Sequence, residues 1–215
     1  MISIQHRTPA ILITAPQHRY FIVNKPDGML SQFKSERAGI DLLGQIDFNF
    51  PEGAHAIGRL DRQSEGLLII TTNKNVTQLL FQGKTLHKRT YLVKVKNTLD
   101  KEKLQQLQNG INIRVEGGGY YTTAACEAEI IDEPGELFQQ SNALPDYPPY
   151  TWIKMSLTEG KYRQIRKMTG AIHHRCRRLI RIAIEDLELG NLAPGLVKEI
   201  PENDFFDLLK IDNWK

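Results

Sequence analysis

The chain has 215 residues, 40% of them hydrophobic and 25% charged, with 16 Gly, 10 Pro, 2 Cys and a net charge of +3. That is enough apolar material for a sizeable core, which argues against a disordered, collagenous or coiled-coil chain. The longest apolar runs, residues 11–13 and 67–70, are too short to cross a bilayer. No leader-like segment opens the chain, and Cys126 and Cys176 are too few for a disulfide framework, so the expectation is a soluble cytoplasmic protein with reduced thiols.

Residues 1–18 show no clear period and read as a tail or edge segment, leaving 19–215 as the main domain. Tyr20, Phe21, Ile22 and Val23 predict a strand that enters a turn at Asn24-Lys25-Pro26-Asp27-Gly28. Ile40, Leu42, Leu43 and Ile46 predict a short helix. Residues 67–71 read as a buried strand, and Asn73 as the N-cap of a helix carrying Val76, Leu79 and Leu80. Residues 90–96 alternate, with Tyr91, Val93 and Val95 on one face and Leu92, Lys94 and Lys96 on the other.

A helix is predicted from Asp100 to Asn109, with Gly110 as its C′ residue. Residues 111–115 and 121–131 flank Gly117-Gly118-Gly119 and predict a hairpin. Prolines cluster between Pro134 and Pro149, which reads as a long irregular loop. Residues 152–157 predict a strand with Ile153, Met155 and Leu157 facing one way. A basic helix starts near Tyr162, and a last helix runs through Phe205, Phe206, Leu208 and Leu209. Strands and helices intermix at hairpin-like spacing, so the class is α+β with a substantial, mainly antiparallel sheet.

Charge is unevenly placed. Between Glu159 and Arg181 stand eight Lys/Arg (Lys161, Arg163, Arg166, Lys167, Arg175, Arg177, Arg178, Arg181) against one acid. A second stretch, from Lys84 to Lys96, also holds Lys88, Arg89 and Lys94 and has no acid. Clustered cations gain by displacing counterions from phosphates, although a solvated basic face would look the same. Tyr162 and two histidines among the cations favour RNA over membrane.

Metal chemistry finds little support, because the six histidines are scattered and only His173 and Cys176 stand at a ligand-like spacing. Gly117-Gly118-Gly119 is followed by Tyr120-Tyr121, which is no phosphate-binding loop, and Gln63-Ser64-Glu65-Gly66 is no nucleophile elbow. What remains is Gly58-Arg59-Leu60-Asp61-Arg62-Gln63-Ser64-Glu65-Gly66, a charged turn running directly into a buried strand. By itself Asp61 could be a turn former or ion-pair partner as well as a catalytic group. A second unusual stretch, from Glu159-Gly160 to Met168, breaks a strand at a glycine and opens the basic helix.

Taken in order, five segments resemble the pseudouridine synthases, in the branch typified by the small-subunit synthase RsuA. They are Asn24-Lys25-Pro26-Asp27-Gly28, residues 58–71, Lys88-Arg89-Thr90-Tyr91, residues 159–168 and Arg178-Leu179-Ile180-Arg181. Arg163-Gln164-Ile165-Arg166-Lys167-Met168, and an expected lack of a preceding RNA-binding S4 domain, place the closest likeness with the ribosomal large-subunit pseudouridine synthase E group. The resemblance implies a sheet in two halves with an active-site cleft between them. It implies Asp61 as the catalytic aspartate and Arg59 as the arginine that fills the gap left by the flipped nucleotide. Tyr91 becomes the ring stacked on the target base, Ile165 the aliphatic residue beneath it, and Arg166 the partner of the catalytic carboxylate. Lys25 and Pro26 match a motif of structural support.

Uridine isomerisation moves no net electrons and needs no cofactor; a carboxylate can serve it as nucleophile or base. Burial alone raises a carboxyl pKa, and an adjacent guanidinium opposes that. Extruding the uridine costs stacking energy, which a ring and a gap-filling arginine reduce. The RNA footprint is expected on Lys161, Arg163, Lys167, Arg175, Arg177, Arg178 and Arg181, and the expected partner is 23S ribosomal RNA, bound by a monomer. The alternatives are a transfer-RNA target or a ribosome-associated RNA binder without catalysis. The chain departs from the family pattern at His173 and Arg175, where relatives usually carry Gly and Pro before the arginine-containing strand.

Overall fold

The computed structural model describes residues 17–36, 38–83, 85–135, 149–212 and 214. Most of the expected tail, Lys84 and the bulk of the proline-rich loop lie outside the described residues. The chain begins with β1 (Tyr20–Lys25), β2 (His55–Ile57), β3 (Glu65–Thr71) and α1 (Val76–Phe81). Next come β4 (Arg89–Lys96), α2 (Lys101–Gln108), β5 (Asn112–Arg114), β6 (Tyr120–Thr122), β7 (Glu127–Ile131) and β8 (Tyr150–Leu157). It continues with α3 (Gln164–Ala171), β9 (Cys176–Ile184), β10 (Leu187–Glu188), β11 (Val197–Ile200) and α4 (Glu202–Leu208). Among the described residues no helix is long and apolar enough to cross a membrane.

The main sheet has the order β11–β1–β3–β9–β4–β8–β7, with β2 beside β3 and β10 beside β9. All its pairings are antiparallel except β3–β9, which is parallel and only two residues long, Glu65 with Ile180 and Gly66 with Arg181. The shortness has a cause: β1 takes one whole edge of β3, while β2 takes Ile69 to Thr71 of the other. Only the first residues of β3 are left for β9, so the sheet forks into two halves. Gly66 makes the joint possible. Its φ is +97°, and a Cβ there would stand 2.2 Å from the Arg181 carbonyl oxygen.

In the Asp61 half, β1 and β3 are buried along their whole length. Successive side chains alternate faces, so Leu67 and Ile69 meet Tyr20, Phe205 and Phe206, while Leu68 and Ile70 meet Phe21, Val23 and Leu43. A strand covered on both faces reads as an unbroken apolar run, and each such Leu or Ile contributes about 1.5–3 kcal/mol. The helix α4 docks through Tyr20, whose ring lies 4.5 Å from that of Phe205 and whose hydroxyl donates to Glu202.

In the Tyr91 half, α2 and α3 pack with the inner faces of β4, β8 and β9 around Val93, Ile153, Met155 and Met168. Among the described residues, the opposite face carries the smaller cluster Leu92, Trp152 and Ile180, with Ile131, Tyr150 and Ile182 packed against it. Asp100 caps α2 by accepting from the Lys103 amide at 2.7 Å, and Gly110 follows at φ +88°.

Three expectations need correction. Residues 121–131 are not one strand: β6 closes a two-stranded hairpin with β5, and β7 then joins the main sheet. The break follows from the carbonyl of Thr123 lying against Gly110 and the Cys126 amide turning to the Gln108 carbonyl. Asn73 is not the N-cap of α1; it forms an Asx turn to the Asn75 amide, one step earlier. The short helix near Leu43 is a single 3-10 turn.

Candidate active site

Asp61 lies in the turn that enters β3, held from both halves. On its own side, Ser31 Oγ accepts from the Leu60 amide and donates to the Leu60 carbonyl, at 3.0 and 2.9 Å. The Gly28 amide donates to the Arg62 carbonyl, and Arg62 Nε returns a bond to the Gly28 carbonyl. Beneath them Lys25, fully buried, directs its ammonium to the carbonyls of Pro26 (2.8 Å), Met29 (2.7 Å) and Arg62 (3.3 Å). Burial lowers the Lys25 pKa to about 8, against the pull of Asp27, Glu65 and Asp61. The two turns that form the floor of the site are thus tied to one lysine.

From the other side come arginines. Arg163 Nη1 stands 3.7 Å from Asp61 Oδ2. Arg166 Nη2 donates to the Gln63 carbonyl at 2.6 Å and lies 3.4 Å from Ser64 Oγ. The sequence reading gave the carboxylate to Arg166; the structure gives it to Arg163 and turns Arg166 to the backbone of the same loop. The reason is local: Arg163 sits just ahead of α3 with φ 53°, a left-handed residue outside the helix, whereas Arg166 is within its first turn. The turn is fixed by Glu159, whose carboxylate accepts from Tyr121, the Ala124 amide and Gln164.

Asp61, Arg59, Tyr91, Ile165 and Arg163 line one cleft of about 870 Å³. Asp61 is half-buried, Tyr91 partly buried, Ile165 buried and Arg59 exposed. A β-bulge between Thr90 and Tyr91 places Tyr91 opposite Arg181 and skips Ile182, which sets the ring's direction. Among the described residues the cleft lining holds six Lys/Arg, the buried Arg181 included, against two acids, and one of those acids, Glu159, is already occupied. A half-buried carboxylate in a cleft with the Tyr91 ring and a positive surround suits a planar base carried on a phosphodiester chain.

The expected footprint divides. Lys161, Arg175 and Arg177 are exposed, and Lys167 stands over the Tyr162 ring. Arg178 instead makes a two-pronged ion pair with Glu65, at 2.7 Å on each prong and 11% exposed. Arg181 is buried in the floor of the cleft, donating to the Leu67 carbonyl at 2.7 Å, and burial lowers its pKa while Tyr91 beside it opposes the shift. These two join the halves of the sheet and offer no surface charge; the residues that reveal it, Glu65 and Leu67, are more than a hundred positions away in the chain. Cys176, beneath Arg166, has its thiol pushed up to about 11 by burial, which keeps it protonated and inert. Phe81 and Leu86 also line the cleft; the sequence reading gave them no role.

Residues 19–171 match the family described as RNA pseudouridylate synthase. The chain is 33% identical over 179 residues to the ribosomal large subunit pseudouridine synthase E of Xanthomonas axonopodis pv. citri, covering 80% of this chain and 89% of that protein. It is 33% identical over 184 residues to the protein of the same name from Vibrio parahaemolyticus, covering 85% and 74%. Among solved structures, a pseudouridylate synthase crystal structure matches 89% of this chain and 74% of its own, with TM-score 0.72 at 22% identity, a likeness of fold.

Proposed function

The chain belongs to the RNA pseudouridylate synthase family, and from that premise we propose that it converts a uridine of 23S ribosomal RNA to pseudouridine with Asp61 as its catalytic carboxylate. The enzyme class follows from the family; the large-subunit target is supported by the names of the relatives at 33% identity. The observation that carries the site is the meeting of Asp61 with Arg163, Tyr91 and Ile165 in one cationic cleft.

In this reading the target uridine leaves its stack and enters the slot against Tyr91, above Ile165, while Arg59 occupies the gap it leaves. The bond between N1 and the ribose C1′ breaks, the base turns, and C5 joins C1′. The C5 proton departs and N1 takes one up, so the atoms and electrons of the base are conserved. Asp61 serves as nucleophile or base, and Arg163 faces its carboxylate at 3.7 Å. Arg166 is a positioning residue that fixes the loop through Gln63. The reaction requires no cofactor; a monomer in the cytoplasm, with residues 19–215 as its catalytic domain, belongs to the same proposal.

The test is a pseudouridine map of total RNA from cells with the wild-type gene, without it, and with Asp61→Asn. Loss of one 23S ribosomal pseudouridine in both defective strains is expected, with the purified variant's RNA affinity within about threefold of wild type. Loss at a transfer-RNA site would move the target. An unchanged map would remove the isomerase reading.

A further inference from the structure

The β5–β6 hairpin stands apart from the main sheet, with Ile113 opposite Tyr121 and Arg114 opposite Tyr120. It is nevertheless bonded to the site, through Glu159 in the connection between β8 and α3. The Tyr121 hydroxyl donates to Glu159 Oε2 at 2.5 Å, and the Ala124 amide, just beyond β6, donates to Oε1 at 3.0 Å. Gln164 Nε2 donates to the same Oε1 at 2.6 Å. Both carboxylate oxygens are thus occupied, and two of the three donors stand 38 and 35 residues earlier in the chain.

Glu159 and Gln164 between them hold the turn that ends in Arg163. Gln164 is buried; its Oε1 accepts from the Lys161 amide at 2.8 Å, and its own amide donates to the Lys161 carbonyl at 3.0 Å. The Lys161 ammonium lies 4.6 Å from the centre of the Tyr121 ring, a second hold on the hairpin. Ile113 and Tyr121 pack in the same cluster as Ile165 and Met168 of α3. Arg163 completes the turn at φ 53° and faces Asp61 at 3.7 Å. A left-handed backbone is unfavourable for a residue with a Cβ and persists only where its neighbours over-determine it. The neighbour that does so here is Gln164, itself bonded to Glu159. Electrostatic assistance depends on groups fixed before the reaction begins, so a displaced guanidinium would support charge moving at Asp61 less well.

We propose that Glu159 is a positioning residue: braced by Tyr121 of the hairpin, it sets the Arg163 guanidinium against Asp61. The inference rests on the uridine-isomerising reading above and gives the hairpin a part in it. A carboxylate that only held the fold together would change stability. One that acts through Arg163 changes the chemical step, and does so only while Arg163 is present.

The test is a single-turnover assay of tritium release from total RNA labelled at uridine C5 and taken from the strain without the gene, with RNA affinity from filter binding. Wild type, Glu159→Gln, Tyr121→Phe, Arg163→Met and each of the first two variants combined with Arg163→Met are compared, their melting temperatures measured first. Arg163→Met should slow the chemical step by about 100-fold, Glu159→Gln by about 30-fold and Tyr121→Phe by about fivefold. RNA affinity should stay within about threefold of wild type throughout. Neither Glu159→Gln nor Tyr121→Phe should slow the Arg163→Met protein any further. Unchanged rates in the single variants, a loss confined to RNA affinity, or the same loss repeated in the Arg163→Met background would each overturn the proposal. Should Glu159→Gln lower the melting temperature, Tyr121→Phe, which removes one hydroxyl, decides alone. Failure of the underlying reading looks different: the wild type would release no tritium and the strain map would be unchanged.

Discussion

The two halves of the sheet solve different problems. The Asp61 half buries β1 and β3 on both faces and fixes its loop through uncharged groups and one lysine capped by carbonyls. The Tyr91 half covers one face fully and the other sparsely, and reaches the site with arginines. The first is a rigid support for a carboxylate, and the second brings a ring and charge to it. They meet along a two-residue pairing, so a small stretch of backbone sets the geometry of the whole site.

Breaking the joint gives the largest expected effect. Gly66→Ala places a methyl group 2.2 Å from a backbone oxygen at a positive φ; stability in urea should fall by about 5 kcal/mol, and pseudouridine formation should vanish. Next comes the division among the arginines. Arg178→Ala strands a buried Glu65 carboxylate and should cost about 3–5 kcal/mol. Arg175→Ala with Arg177→Ala should leave stability within about 0.5 kcal/mol while lowering the salt dependence of RNA binding by about one to two in slope. If the Arg178 change and the Arg175/Arg177 double change acted alike, the distinction between inward and outward cations would fail.

Lys25→Met probes the support itself. Leaving buried carbonyls unpartnered should cost about 2 kcal/mol at neutral pH. The pH dependence has a definite sign. The folded Lys25 gives up its proton near pH 8, against an ordinary value of 10.5, so between those values the unfolded chain holds the extra proton. The Lys25 contribution to wild-type stability should therefore rise as pH increases through that window and be lost as it falls back to 8, a slope absent from the difference curve if Lys25 is irrelevant. A gain in stability is expected at the far end of α3. His173 has φ 64°, with its amide bonded to the Gly170 carbonyl and that of His174 to Thr169, a Schellman ending that favours glycine. His173→Gly should raise stability by about 1 kcal/mol and leave turnover unchanged.

Much of this arrangement is legible in the sequence. The strands at Tyr20, Leu67, Tyr91 and Trp152 declare themselves by apolar runs or alternation, whereas the place of Asp61 at a strand entrance left its role open and only the family resemblance singled it out. The strand β9 was hidden because Arg178 and Arg181 interrupt its pattern, and a charge count cannot separate an arginine neutralised by a distant Glu65 from one facing water. Arg163 and Arg166 are chemically identical and lie three residues apart; only the left-handed turn before α3 decides which meets the carboxylate. Exposure at Phe81 was likewise invisible, since a helix's apolar residues announce burial and not its absence.

The chain order of the two halves also has a bearing on when the enzyme can work. The strands β4 to β9 of the Tyr91 half lie between residues 89 and 184, one continuous stretch, with β10 directly after them. The Asp61 half is discontinuous: β1 and β3 come first, but Ile200, Phe205 and Phe206 cover one of their faces, and Asn24 is bonded to Leu196 and Gly195. During synthesis the ring-bearing half can be complete while the carboxylate still rests on an uncovered sheet. A nascent chain on the ribosome can thus complete the half that carries Tyr91 first and the half that carries Asp61 last.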